Sequence, residues 1–225
     1  MANGTSSTGR SKTVGRVSEM TNIVRIKQGF TTKIGLGADG KPGLLPNEPP
    51  VRYVDNLRSV FQLVAFETTK GKTVLDDIAT IHFARWVILP GDEQLLFTAN
   101  FDGGWEQYIH DFVTFTNTGK PTNDNSTGAP WMDLIWGNCE GYPGTKDFPA
   151  FLDFIEQGMI DTTLWYPTID DVTLRDIAWL RQFRRLFAAF DEQALAVDRT
   201  QWPPALLAAY DTFKQSVNRI DVTDV

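Results

Sequence analysis

The chain predicts an α+β fold: a ferredoxin-like antiparallel sheet in βαββαβ order, followed by additional C-terminal helices. Three observations predict it. Thr80 to Phe115 reads as strand, tight turn, strand and capped helix. An amphipathic helical pattern precedes that unit, and long helical patterns close the chain. Sheets of this kind often pair with a second copy, so a homodimer is expected.

Each element has its own warrant. Residues 1 to 20 are rich in Ser, Thr and Gly, with Arg10, Lys12 and Arg16, and read as a flexible tail. Residues 21 to 225 then form a single domain with a helical extension. Ile23-Val24-Arg25-Ile26 is the first strand, and Gly35 to Pro50 is a loop rich in Gly and Pro. Over Arg52 to Glu67, Val54, Leu57, Val60, Phe61 and Val64 recur at helical spacing. Ile81 to Leu89 is a strand apolar on both faces, so it should be central. Pro90-Gly91-Asp92-Glu93 turns the chain and Leu95 to Phe101 returns it. Asp102 can cap the helix whose buried stripe is Trp105, Tyr108, Ile109, Phe112 and Val113. Thr118 to Ser126 is a polar connection. Trp131 to Trp136 and Phe148 to Gln157 are helical, and Thr162 to Tyr166 is the fourth strand. Thr173 to Phe190 and Pro204 to Val217 are the closing helices.

Bulk composition excludes several classes. The chain has 225 residues, a formal charge of −7 and a pI near 4.8, with no basic cluster, so no nucleic acid partner is expected. No apolar run approaches a span of about 20 residues, so no membrane association is expected, and the location is read as cytoplasmic. Cys139 is the only cysteine, which excludes an internal disulfide and a cysteine-rich zinc site. No phosphate loop, dinucleotide fingerprint or hydrolase elbow is present.

His82-Phe83-Ala84-Arg85-Trp86, Phe101-Asp102-Gly103-Gly104, and Trp136-Gly137-Asn138-Cys139-Glu140-Gly141-Tyr142-Pro143 with Leu164-Trp165-Tyr166 resemble a group of bacterial proteins. That group is associated with the ferredoxin-like dimeric α/β barrel superfamily, which includes dye-decolourising peroxidases and chlorite dismutase-like haem proteins. The likeness spans roughly residues 20 to 190. It implies a haem-binding or peroxidase-like protein. The peroxidases place a distal aspartate in Gly-x-x-Asp-Gly; here Ala99-Asn100-Phe101 precedes Asp102-Gly103, so the first glycine is missing.

The candidate ligand-binding residues are His82, Arg85, Asp102, Tyr142 and Trp165, with His82 as the candidate metal ligand. Strand alternation puts His82 with Ala84, Trp86 and Ile88, and Arg85 with Phe83, Val87 and Leu89. His82 and Arg85 converge only if a bulge intervenes. His82 could ligate haem iron or act as a base, or simply bond a backbone carbonyl. Arg85, read as buried, needs a carboxylate such as Asp102, Glu106 or Glu140, or an anionic ligand. His110 and Glu106 suit an exposed helical ion pair. Cys139 reads as an inert buried thiol. Trp131, Trp136, Tyr142, Trp165 and Tyr166 could wall an apolar pocket or belong to the core. Two functions follow: a small-molecule-binding protein taking an apolar or anionic ligand, haem included, or a non-catalytic dimerising interaction module.

Overall fold

A computed structural model of the chain describes residues 11–37, 42–69, 78, 80–117, 131–197, 200 and 204–220. Residues 1–10 of the expected tail, part of the Gly35 to Pro50 loop and the Thr118 to Ser126 connection lie outside them. The chain divides into two compact units, Met1–Asp171 and Val172–Val225.

The strands of the first unit, in chain order, are β1 (Lys12–Val14), β2 (Val17–Arg25), β3 (Phe30–Thr31), β4 (Ile34–Leu36), β5 (Pro42–Leu44), β6 (Val51–Arg52), β7 (Ile81–Ile88) and β8 (Gln94–Asp102). Its helices are α1 (Tyr53–Thr69), α2 (Trp105–Asn117), α3 (Trp131–Trp136) and α4 (Phe148–Gly158). Four strands form one antiparallel sheet in the order β1-β2-β8-β7; β3 pairs with β6 and β4 with β5 in two small ribbons.

Strand alternation divides the large sheet into two faces. Ser18, Met20, Asn22 and Val24 of β2 stand opposite Phe101, Ala99, Phe97 and Leu95 of β8, and all eight are buried. The helices cover this face. Phe61 of α1 reaches Trp86 (ring centroids 6.3 Å), Phe101 stacks on Tyr108 of α2 (4.1 Å), and Phe97 meets Trp136 of α3 edge-on (5.6 Å). From α4, Phe154 completes the packing on Trp136 at 6.1 Å. Aromatic pairs at these separations add attraction beyond the area they bury.

Asn56 and Asn138 are paired inside this core. Asn56 Nδ2 donates to Asn138 Oδ1 (3.0 Å), Asn138 Nδ2 to the Leu134 carbonyl (2.7 Å), and the Ile34 amide to Asn56 Oδ1 (2.7 Å). Gly137 is required beside them, because a Cβ there would stand 2.2 Å from the Asp133 carbonyl oxygen.

Two expectations are corrected. Part of the supposed tail belongs to the sheet: Lys12, Thr13 and Val14 pair with Glu19, Ser18 and Val17. The turn between them needs glycine twice over, since Gly15 has φ 62° and a Cβ would lie 2.2 Å from the Asp170 carbonyl oxygen. Thr162 to Tyr166 is then not a strand. Its place on β2 is already taken. Going along that edge, β1 holds Val17 to Glu19, the Ile160 amide donates to Thr21 (3.0 Å), and Met159 bridges Asn22. Further on, the Glu140 amide donates to Arg25 (2.9 Å) and Cys139 bridges Ile26. Three separate segments do the work expected of one strand.

The second unit contains α5 (Leu174–Ala196) and α6 (Pro204–Val217). Thr173 and Asp176 form a reciprocal capping box at the start of α5. The two helices share an aromatic seam, in which Phe213 meets Phe183 (5.8 Å), Phe187 (6.0 Å) and Phe190 (5.1 Å). Neither helix contains a buried residue. No helix among the described residues is long and apolar enough to cross a membrane.

Candidate functional site

The sheet face away from α1 to α4 carries three of the five candidate residues, His82, Arg85 and Asp102. A bulge between Ile81 and Phe83 shifts the register of β7 against β8: Ile81 stands opposite Phe101, but Phe83 stands opposite Asn100. His82 is the extra residue. Without the bulge it would share the core face with Ala84 and Trp86, which stand opposite Ala99 and Phe97. With it, Ile81 takes the core-facing position and His82 meets Asp102, which alternates with buried Phe101. His82 Nε2 and Asp102 Oδ1 are 2.6 Å apart, with side-chain exposures of 12% and 13%. An ionised carboxylate can only accept, so a neutral His82 donates through Nε2–H and carries its lone pair on Nδ1.

Arg85 stands opposite Thr98 on the same outer face and is exposed. It is not the buried guanidinium that the apolar run suggested, because β7 is an edge strand. Among the described residues no carboxylate pairs with it. Its neighbours on this face are Phe83, 75% exposed, and Val87, which stands opposite Leu96. The bulge therefore places His82, Asp102 and Arg85 on one face. The other two candidates lie elsewhere. Tyr142 hydroxyl donates to Asp133 Oδ1, and its ring packs edge-on against Phe151 at 5.8 Å on the helix side of the sheet. Burial and the neighbouring Asp133 hold its hydroxyl far above the usual phenol range. Trp165 is half-buried in the irregular segment that replaces the expected fourth strand.

Asp102 belongs to β8 and not to the helix start. Gly104 precedes α2, and its carbonyl accepts from the Tyr108 amide at 3.1 Å. His110 is exposed, 4.0 Å from Asp111 and edge-on to Phe148. Cys139 is fully buried, and desolvation pushes its thiol up to about 12, so it carries no thiolate at neutral pH. Trp136 is core, whereas Tyr166 is 81% exposed. The Trp136 to Gly141 motif is structural. The Lys27 amide and ammonium donate to the carbonyls of Asn138 (2.9 Å) and Gly137 (2.8 Å), which ties the motif to the end of β2.

Sequence reasoning missed a buried acid on the outer face. Glu19 stands opposite Lys12 and Asn100 and is 4% exposed. Thr162 donates to its Oε2 at 2.9 Å, and Oε1 has no partner among the described residues. Burial raises its carboxyl above the usual range, against the smaller opposing effects of Thr162, Lys12 and Thr21. A concavity of about 120 Å³ lies at the other end of the β7–β8 hairpin, lined by Lys27, Arg52, Tyr53 and Asp92 among others. The guanidinium of Arg58 meets Asp92 there at 2.5 Å.

No protein-family model, no curated protein and no solved structure matches the chain.

Proposed function

We propose that the chain is a small-molecule-binding protein on a ferredoxin-like frame, with an apolar anion as its ligand on the outer sheet face. The frame is read from β2, α1, β7, β8 and α2, which follow in βαββα order. The bulge at His82 carries the proposal. It removes a histidine from the core face, orients its ring on a carboxylate and leaves Nδ1 as the donor atom. Arg85 supplies a cation with no carboxylate partner among the described residues, and Phe83, Val87 and Leu96 supply apolar surface on the same face. An oriented imidazole, a guanidinium and apolar walls suit a carboxylate attached to a hydrophobic body.

Haem belongs to that chemical class through its propionates. In that case His82 would hold the haem iron and Arg85 a propionate, and haem would supply the redox chemistry. The test is an absorption titration of the purified protein with haemin. The expected result is a shifted Soret band that is lost in His82→Ala and weakened in Arg85→Leu. A band unaltered by both substitutions overturns the assignment of these residues. A parallel titration with a fluorescent fatty-acid-like anion separates haem from other apolar anions.

A second reading, a homodimerising interaction module, is favoured by one observation: Phe83 and Val87 leave apolar surface open on an edge strand. Phe83→Glu should then dissociate the dimer in sedimentation without altering the thermal melt.

A further inference from the structure

The second unit presents two unlike sides of α5. One side packs on α6 through Phe183, Phe187 and Phe190. The stripe beside it shares Phe187 with that seam and carries Ile177, Leu180, Arg184, Phe187, Asp191 and Leu195, at successive spacings of three, four, three, four and four. Those spacings keep the six side chains on one stripe of a helix. Much of the stripe stays exposed: Leu180 and Phe187 are each 50% exposed and Leu195 is 79% exposed.

The stripe reads nearly the same in both directions about a point between Phe187 and Ala188. Leu180 and Leu195 are equidistant from that point, and so are Arg184 and Asp191. We infer that this stripe is an interface for a second copy of the chain, with the two α5 helices crossing antiparallel about a two-fold axis at Phe187–Ala188. Charge selects this occupant. Antiparallel pairing sets Leu180 against Leu195 of the other copy, and Arg184 against its Asp191. By symmetry each contact forms twice. On the flank, Glu192 falls opposite position 183, between Arg181 and Arg185 of the other copy. A parallel pairing would instead oppose arginine to arginine and aspartate to aspartate, which is repulsive. Ala188 at the axis is small enough to let the phenyl ring of Phe187 cross. Two such hairpins make four helices, enough to enclose an amphipathic stripe of this kind. The inference is independent of the outer sheet face.

The test is a charge exchange in the full chain, read by sedimentation equilibrium. Arg184→Glu opposes two carboxylates across the axis, twice. It should weaken one self-association step by about tenfold or more. Asp191→Arg should do the same. The double variant Arg184→Glu/Asp191→Arg restores opposite charges and should return the affinity to within about threefold of the starting protein. Both positions are exposed, so circular dichroism of each variant should be unchanged. A chain that stays monomeric at 100 µM concentration (roughly the range where weak protein contacts are seen) overturns the inference. So does equal association of the single and double variants, because any self-association would then run through another surface.

Discussion

The sheet unit and the helical hairpin both contain large apolar side chains but treat them differently. In the first, Trp136, Phe97, Phe101, Tyr108 and Phe151 are enclosed between the sheet and four helices. In the second, a comparable set of phenylalanines lies along one seam between two helices, and none is buried. The difference is geometric. A sheet has a whole face to offer, and helices laid across it shut out water. Two helices touch along a line, and each keeps most of its circumference exposed. The first unit can therefore hold itself together, whereas the second has little beyond its seam and caps.

This contrast can be broken by substitution. Trp136→Ala should have the largest effect, a loss of about 4 kcal/mol in denaturant unfolding, because a fully buried indole leaves a cavity. A loss near that of an exposed residue would show that the core is looser than its packing implies. Asn138→Ala should cost about 2 kcal/mol by stranding the Asn56 amide and the Leu134 carbonyl. Thr173→Ala removes the capping box of α5 and should cost about 1 kcal/mol. In the hairpin that is a large share of the available stability, so helical circular dichroism should fall. An equal fall in Asp147→Ala, which uncaps α4 inside the well-packed unit, would erase the distinction.

The smallest effect is the most diagnostic in its pH dependence. Burial raises the Glu19 carboxyl in the folded chain above its unfolded value. Between those two values the folded state binds more protons than the unfolded one, so stability falls as pH rises through the window. At neutral pH the ionised group is a net cost. Glu19→Gln should thus raise the melting temperature slightly at pH 7 and flatten the pH profile in the weakly acidic range. A profile unchanged by the substitution would show that Lys12 and Thr162 fully offset the burial.

Much of the first unit was legible in sequence, and the failures have physical causes. The hairpin from Ile81 to Phe101 announced itself by apolar strands around a Pro-Gly-Asp turn. The observed loop uses that chemistry, with Gly91 and Asp92 both at positive φ. The helix at Tyr53 followed from periodicity, and those at Trp131 and Phe148 lie where they were expected. The first strand pair was hidden because Lys12–Val14 is short and polar and gains its order from β2. Thr162 to Tyr166 has strong strand propensity, yet the backbone groups it would need are already bonded. Propensity does not register competition for an edge. Arg85 was misjudged for a related reason: an apolar strand looks central until its neighbours are known. The bulge did leave a trace. Ile81 lies on the odd phase of the strand, while Ala84, Trp86 and Ile88 lie on the even phase. That slip falls at His82, and a search for phase breaks would have found the His82–Asp102 pair.

The patching of β2 by three segments has a consequence for assembly. That border of the sheet offers only the three residues of β1 to any incoming chain. The opposite border, β7, is long, but it is interrupted by a bulge and carries an arginine, both of which discourage strand addition. Fibril growth needs two usable borders on every molecule, so that each addition exposes the next. Among the described residues β7 is the one long template, so a border-to-border contact through it consumes that template and the reaction ends at a pair.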